Sequence, residues 1–209
     1  MSAAPTALAE VADDICSLPL MDVPYRLAGN WDDEAYLTLA ESVRRLMEMT
    51  DGVVEVLPPP TIAHQHMLGW LFEAFRRPIA DAGGMVVFSP VPLRIRVRNY
   101  REPDLIFWQN ANDPRLEGTY LDGADLVVEV VSPGGAKRDL VDKRLDYAEA
   151  GIPEYWIVDP RYETVTVLTL AGGEYAEAGA FARGTDAVSS FVPDLQVSVG
   201  DLFDAASGY

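Results

Sequence analysis

The chain has 209 residues, 49% of them hydrophobic and 23% charged, which fits one ordinary globular domain and excludes fibrous, disordered and disulfide-rich classes. A single cysteine, Cys16, excludes an intramolecular disulfide and any cysteine-cluster metal site. No apolar run reaches the ~20 residues of a membrane span, and the N-terminal residues carry acids where a signal peptide would carry Lys or Arg. We therefore expect a cytoplasmic protein without membrane contact.

The charge distribution is uneven along the chain. The formal net charge of −17 argues against a protein that coats nucleic acid, because phosphate binding depends on Lys and Arg. One stretch, residues 76–101, is nevertheless basic and holds a single acidic residue, Asp81. Its six arginines are Arg76, Arg77, Arg94, Arg96, Arg98 and Arg101. They are either surface partners of the surplus acids or a confined contact for a polyanion.

The domain organisation is predicted to be simple. Residues 1–30 show little periodicity and are interpreted as an irregular arm, residues 31–200 as one domain, and residues 201–209 as a C-terminal tail. Acids at positions 32–34 are typical of the first turn of a helix, which we expect to run to about Ser42.

A β-hairpin is predicted next. Two short apolar runs flank Asp51-Gly52, a pair that favours a tight turn with positive φ at both positions. A two-residue loop would place Glu48 opposite Glu55, and like charges in that position are unfavourable. Either a cation lies between the two glutamates, or the loop has three residues and the register shifts by one. We favour the shifted register.

The middle of the chain alternates helix and strand. Apolar residues recur at intervals of three and four from Thr61 to about Ala82, which indicates an amphipathic helix. Strands are expected at about 85–88 together with 91–97, then at 104–108 and 125–131. The run LRIRVR at positions 93–98 alternates strictly, which would put Leu93, Ile95 and Val97 on the core face and Arg94, Arg96 and Arg98 together on the other.

The strand DLVVEVV at 125–131 is apolar on both faces except for Glu129, a pattern typical of a central, doubly covered strand. The sequence SPGG at 132–135 breaks it, and a helix is predicted over 138–150 with Val141, Leu145 and Ala148 on its buried stripe. A strand over 154–159 then implies a parallel crossover. Residues 163–199 are predicted as short strands with glycine-rich turns.

Glu129 is the most informative polar residue, because a carboxylate in a buried strand must be protonated, paired or bound to a cation. Asp104 opens another core strand. Two carboxylates on neighbouring strands form a candidate site for Mg²⁺ or Mn²⁺. Lys143 follows on the next helix, where it either belongs to this site or pairs with Asp139 and Asp146 on a solvent face.

Six segments of the run from Trp31 to Pro160 resemble the Uma-two family of restriction-endonuclease-like proteins, also known as domain of unknown function 820. In the family's order they are RLMEMTDG from Arg45, PPPTIAH from Pro58, EPDL from Glu102, VVEVVSP from Val127, DLVDK from Asp139 with Tyr147, and GIPEYWIVDP from Gly151.

The resemblance implies the PD-(D/E)XK nuclease fold, a mixed α/β sheet, here with an N-terminal β-hairpin and C-terminal β additions. In that superfamily, the Asp of the Pro-Asp motif and the acid two residues before a lysine hold a divalent cation, and the lysine orients or deprotonates the attacking water. Asp104 and Glu129 match the two acids. Position 131 is Val, and the lysine of the resemblance falls on the following helix, at Lys143.

We interpret the chain as a Mg²⁺- or Mn²⁺-dependent endonuclease that hydrolyses phosphodiester bonds of nucleic acid, DNA above all. Candidates to support the site are Glu48, Glu55, His64, Ser132 and Tyr147, and candidates to bind backbone phosphates are Arg94, Arg96 and Arg98. Two alternatives stay open: a catalytically silent interaction module, and a metal-dependent hydrolase of a small anion. A second copy of the chain, in a homodimer, is the other expected partner.

Overall fold

The computed structural model describes residues 5–17, 25–43, 45–132 and 137–207. Five helices have the bounds α1 Pro5–Ser17, α2 Asp33–Ser42, α3 Ile62–Asp81, α4 Lys143–Glu149 and α5 Val199–Asp204. A 3-10 turn spans Pro114–Leu116, and a π-helical turn, Arg138–Asp142, leads directly into α4. The strands are β1 Tyr25–Arg26, β2 Met47–Thr50, β3 Val53–Val56, β4 Met85–Phe88, β5 Leu93–Arg96, β6 Asn99–Arg101, β7 Leu105–Trp108, β8 Leu126–Val130, β9 Glu154–Asp159, β10 Thr164–Ala171, β11 Glu174–Ala182, β12 Asp186–Val188 and β13 Gln196–Ser198.

The central sheet has six strands in the order β11-β10-β9-β8-β7-β4. Strands β8 and β9 run parallel and the other pairs run antiparallel, so the sheet is mixed and the predicted fold class is confirmed. Strand β8 is buried over its whole length, as its apolar sequence predicts. One face packs on α3, for example through Leu71 and Phe75, and the other carries a second core that includes Tyr147 of α4.

A second sheet, in the order β1-β3-β2-β6-β5, lies beside the first. Its core includes Tyr36 and Leu39 of α2 and Ile15 of α1. The segments 85–88 and 91–97, which the prediction grouped together, belong to different sheets, because β4 pairs with β7 and β5 pairs with β6. A turn with Arg98 at φ 60° ends β5 after Arg96, so that Val97, predicted as core, is 68% exposed.

The two chain ends are more ordered than predicted. Within the described part of residues 1–30, α1 replaces the irregular arm, because Leu8, Val11, Ala12 and Ile15 recur at helical spacing and pack against α2. At the other end, α5 crosses the predicted boundary at residue 200, since Leu202 and Phe203 are buried in the main core. Residues 1–4, 18–24, 133–136 and 208–209, which belong to the predicted arm, strand break and tail, lie outside the described residues.

The hairpin of β2 and β3 has the two-residue turn, with φ of 49° at Asp51 and 81° at Gly52. Glu48 therefore stands directly opposite Glu55, and the predicted register shift is wrong. Each glutamate has a separate cation, Arg26 for Glu55 and Arg101 for Glu48, and these ion pairs offset the repulsion that the prediction sought to avoid.

Helix α4 and the π-helical turn before it are oriented opposite to the prediction. Val141 is 49% exposed and Leu145 is 68% exposed, whereas Asp139, Lys143 and Tyr147, at intervals of four, are buried. The polar stripe faces the sheet because buried charged partners lie there. Ala148, the third residue of the predicted stripe, is half-buried against the second core.

Candidate active site

Asp104 lies at the start of β7, next to β8. The pairs between the two strands place Leu105 opposite Val128, and continuing this register places Asp104 opposite Glu129, with both side chains on one face of the sheet. The Oδ2 atom of Asp104 accepts a hydrogen bond from the backbone N of Val130 at 2.8 Å and lies 3.1 Å from Nε2 of His64. His64 reaches it from the first turn of α3, whose N-cap is Thr61.

Glu129 receives two partners from α4. Its Oε1 atom lies 2.7 Å from Nζ of Lys143 and accepts a short hydrogen bond from the hydroxyl of Tyr147. Lys143 and Tyr147 are four residues apart and therefore share one face of the helix. The ammonium of Lys143 thus lies beside Glu129, buried, instead of on the solvent face of α4.

The second sheet and the π-helical turn each supply one further partner of Lys143. Oε1 of Glu48 lies 3.2 Å from Nζ, and Oδ1 of Asp139 lies 3.7 Å from it. Arg101 of β6 binds Oε2 of Glu48 at 3.0 Å and Asp146 of α4 at 2.5 Å. This ion network joins the hairpin, β6, β8 and α4 around one lysine.

Burial and charge change the acid–base properties of the network. Burial raises the pKa of Glu129, and the negative charge of Asp104 adds to this effect while Lys143 opposes it. Burial by itself would lower the pKa of Lys143, but the charges of Glu129, Glu48 and Asp139 raise it above its ordinary value. Lys143 is therefore an ammonium group over the whole physiological pH range.

His64 also has a raised pKa. Burial by itself would lower it, but the hydrogen bond to Asp104 and the negative charges of Asp104 and Glu129 outweigh burial. Because Oδ2 of Asp104 is an acceptor, Nε2 of His64 is the nitrogen that donates. Its other ring nitrogen, Nδ1, is buried and has no hydrogen-bond partner within the part of the chain that the structure describes.

The donor set of Asp104 and Glu129 fits a hard divalent cation. The hydrogen bonds described above occupy Oδ2 of Asp104 and Oε1 of Glu129, which leaves the other oxygen of each carboxylate outside them. Two carboxylates on one face of a sheet repel each other, and a shared cation relieves that repulsion. No group of three or more His, Cys, Asp or Glu side chains is arranged for a metal within the described ranges. Mg²⁺ needs no such group, since it keeps several water ligands.

The remaining sequence candidates lie at different distances from this network. Glu55 binds Arg26 on the outer hairpin strand. The backbone N of Ser132 donates to Oδ2 of Asp139 at 3.4 Å, which ties the end of β8 to the π-helical turn. His66 is exposed on α3.

The three arginines predicted to bind phosphates are not evenly spaced on one strand. Arg94 is bound by Asp122, and Arg96 by Asp51 and Glu149. Arg98 lies in the turn after β5, where its guanidinium donates to the backbone oxygen of Trp31 and its backbone N donates to Asp33. The expected row of free guanidinium groups is therefore wrong in its geometry.

Sequence reasoning did not assign Arg101, Arg138, Asp139 or Asp146 to the site. The spacing of Asp139, Lys143 and Tyr147 was a usable signal, because it marks a polar stripe on one helix face. Arg101 had no such signal, since its partner Glu48 lies more than fifty residues away in sequence.

Two cavities lie elsewhere. One of about 380 Å³ is lined by Arg77, Pro78 and Pro193 among others, and one of about 270 Å³ lies between α2 and the loop at Pro90–Pro92. Neither includes Asp104 or Glu129. Among the described residues, no helix has the length and apolar character needed to cross a bilayer.

The chain is similar to known proteins in fold and in sequence. A protein from Anabaena variabilis, described as a "putative nuclease belonging to DUF820", has a similar structure with a TM-score of 0.66 and 19% sequence identity; the match covers 81% of this chain and 98% of that one. No curated protein matches the sequence. The model of the Uma2 family, described as "Putative restriction endonuclease", matches residues 33–200, which include Glu48, Asp104, Glu129 and Lys143. The chain therefore belongs to the Uma2 family.

Proposed function

We propose that the protein is an endonuclease that uses Mg²⁺ or Mn²⁺ to hydrolyse phosphodiester bonds in DNA. The observation that carries the proposal is the contact of Lys143 with Glu129, 2.7 Å apart, on the face of the sheet that Asp104 also occupies. Two acids on neighbouring strands, with a lysine of α4 beside one of them, can support metal-assisted phosphodiester hydrolysis. The family match supports a nuclease.

In this proposal, Asp104 and Glu129 hold the metal ion, which when bound polarises the scissile phosphate and lowers the pKa of a water ligand. His64 and the backbone N of Val130 fix Oδ2 of Asp104 and so orient its carboxylate. Lys143 stays protonated and contributes positive charge near the phosphate as negative charge develops on it. A lysine with a raised pKa is a poor general base, so deprotonation of the water falls to another group.

Tyr147 and Glu48 act through Lys143 and Glu129. The hydroxyl of Tyr147 donates to Oε1 of Glu129, and Glu48 shares the ammonium of Lys143. These contacts restrict the rotamers of the two groups. Pre-organisation of this kind reduces the reorganisation needed when charge develops on the substrate.

The alternative of a small-anion hydrolase predicts metal-dependent hydrolysis of a small phosphate ester and no cleavage of DNA. The silent-module alternative rests on the net charge of −17 and on Val131 in place of a lysine. It predicts no metal-dependent cleavage. The homodimer and the cytoplasmic location stay predictions.

The test is cleavage of supercoiled plasmid by the purified chain with Mg²⁺, with Mn²⁺ and with EDTA. We expect metal-dependent nicking, and a loss of at least ~100-fold in Asp104→Asn, because a ligand that fixes a catalytic metal is removed. Asn has the size of Asp and keeps an oxygen that can accept from the backbone N of Val130, so the substitution should leave the melting temperature close to that of the wild type. Asp122→Asn, an exposed carboxylate bound to Arg94, is the matched control and should keep full activity.

Two outcomes would contradict the proposal. One is equal nicking by the wild type and by Asp104→Asn, which would point to a contaminating nuclease. The other is the absence of Mn²⁺ binding in calorimetry together with the absence of cleavage, which would favour the silent module.

A further inference from the structure

The arginines described in the structure fall into two groups by their hydrogen bonds. Most are bound by an acceptor at hydrogen-bond distance, for example Arg94 by Asp122, Arg101 by Glu48 and Arg144 by the backbone oxygen of Tyr175. Arg138 is different. It makes no hydrogen bond with the residues that the structure describes, and its Nε atom is buried without a partner.

Arg138 lies beside the catalytic network. It is the first residue of the π-helical turn that leads into α4, and its side chain is only 17% exposed. Its Nε atom is 3.6 Å from Oδ1 of Asp139, the same oxygen that lies 3.7 Å from Nζ of Lys143. The two cations therefore flank one carboxylate, and Lys143 in turn holds Glu129.

The charges around Arg138 explain why an arginine is held there. The carboxylates of Glu48, Asp139, Glu129 and Glu55 all act on its guanidinium. These groups attract the side chain as a whole, but none of them accepts a hydrogen bond from it. A guanidinium offers five N–H donors in a rigid fork, and no acceptor among the described residues receives a hydrogen bond from these donors.

The other two cations of the network, Lys143 and Arg101, are both bound by carboxylates. Lys143 contacts Glu129, Glu48 and Asp139. Arg101 is bound by Glu48 and Asp146 on both sides. A phosphate group that approaches Asp104 and Glu129 meets several carboxylates, and Arg138 is a cation of this network whose donors are uncommitted among the described residues.

We propose that Arg138 binds a non-bridging oxygen of the nucleic-acid phosphate at this site. The inference rests on the proposed function and adds to it a residue that binds the anionic substrate. This residue would offset the repulsion from the acidic cluster, by which we mean the carboxylates of Glu48, Glu55, Glu129 and Asp139. Arginine suits this position because its fork can make two parallel hydrogen bonds to one phosphate. Sequence reasoning assigned that role to Arg94, Arg96 and Arg98, which are bound by acids or by backbone oxygens instead.

The test is binding of a short DNA duplex in Ca²⁺, which prevents turnover, at several salt concentrations. We expect Arg138→Gln to bind about tenfold more weakly, since a charge-assisted hydrogen bond is lost. The slope of log K against log salt should become flatter by about one unit, the change expected for one lost phosphate contact.

The matched control is Arg77→Gln, which removes one positive charge from the exposed side of α3. Arg77 is thirteen residues beyond His64 on that helix, which is about 20 Å at 1.5 Å per residue. It should bind DNA with the wild-type slope. An unchanged slope in Arg138→Gln, with or without a lower melting temperature, would overturn the proposal and make Arg138 a counter-ion of the acidic cluster.

A second variant covers the case in which Arg138→Gln does not fold. Arg138→Lys keeps the positive charge that balances the carboxylates but loses the fork. We expect it to fold and to bind DNA several-fold more weakly than the wild type with an unchanged slope; wild-type affinity would overturn the proposal. If the wild type itself neither binds nor cleaves DNA, the proposed nuclease function fails as well. If the wild type cleaves DNA but Arg138→Gln binds DNA with the wild-type salt slope, the nuclease proposal stands and only the role of Arg138 is overturned.

Discussion

Lys143 contacts three carboxylates, those of Glu129, Glu48 and Asp139, and it is buried with them. A buried ion network of this kind contributes little net stability while it is complete, because desolvation offsets the Coulomb attraction. The loss of one member is costly, since the charges that remain stay buried without compensation. Single substitutions in the network therefore affect folding as well as chemistry.

The two lysines of the chain make a matched pair for measuring this cost. We expect Lys143→Met to lower the free energy of unfolding by about 3–5 kcal/mol, because Glu129 and Glu48 lose their shared cation. Lys137→Met removes the same charge from an exposed side chain and should change stability by less than about 0.5 kcal/mol. Urea titrations of both variants measure the difference, and equal stabilities would show that the network does not form.

Glu48 gives the network a dependence on pH. Burial by itself would raise the pKa of Glu48, but the charges of Lys143 and Arg101 lower it from 4.5 to about 2. A carboxyl whose pKa is lower in the folded state stabilises the fold above its unfolded pKa, and that contribution is lost as the pH falls through the lower value.

We therefore expect the stability difference between the wild type and Glu48→Gln to shrink by on the order of 3 kcal/mol between pH 5 and pH 2. Denaturant titrations of both proteins across this range measure it. Glu41→Gln, on the exposed side of α2, is the control and should show a nearly constant difference. A difference between the wild type and Glu48→Gln that is also constant with pH would exclude an ionised Glu48 in the fold.

At the scale of the secondary-structure elements, α4 and the turn before it bury a polar stripe and expose apolar residues. Asp139, Lys143 and Tyr147 face β8 and the second sheet, while Val141 and Leu145 face outward. The helix packs this way because its ion pairs and hydrogen bonds to Glu129 and Glu48 require the polar side chains to face the sheet. Hydrophobic periodicity alone predicts the opposite orientation.

Leu145 tests the orientation of α4. It is 68% exposed, so Leu145→Gln should change the free energy of unfolding by less than about 0.5 kcal/mol. Leu71→Ala, a fully buried position on α3, should cost about 2–5 kcal/mol and serves as the comparison. A loss of several kcal/mol in Leu145→Gln would show that this face is covered in solution.

The whole molecule carries a net charge of −17, and the basic stretch of residues 76–101 does not form a free positive surface in the fold. Arg94 and Arg96 lie on β5, but Asp122, Asp51 and Glu149 neutralise them. Under the proposed function, DNA binding would therefore depend on few contacts, and the net negative charge would oppose long-range attraction of DNA.

The double variant Arg94→Gln/Arg96→Gln tests this reading of the charge distribution. We expect its binding to a DNA duplex in Ca²⁺ to show the wild-type salt slope, because neither guanidinium is available to a phosphate. A slope flatter by about two units would instead show that Arg94 and Arg96 bind backbone phosphates, as the alternating sequence LRIRVR predicts.

Several features were predictable from short segments of sequence. Asp51-Gly52 favours positive φ at both positions and identifies the turn of the hairpin, although the length of its loop was predicted wrongly. The apolar periodicity of α3 and the continuous apolar run of β8 identify their buried faces. Glu129 is detectable for the same reason, since a single carboxylate interrupts a strand that is otherwise apolar.

Other features depended on residues far apart in the chain. The register of the hairpin was decided by Arg26 and Arg101, and the partner of β5 by the turn at Arg98. Neither cation is near the hairpin in sequence, so a local argument about like charges gave the wrong register.

The sequence by itself therefore determined the fold class, the central strand with its carboxylate and the family of the chain, because these follow from local periodicity, turn chemistry and ordered motifs. Only the tertiary structure decided which face of α4 is buried, that Lys143 reaches Glu129, and that Arg138 lies beside them. A helix buries the face for which its neighbours supply partners. Those partners, Glu48, Arg101 and Glu129, come together only when the two sheets and the helix are assembled.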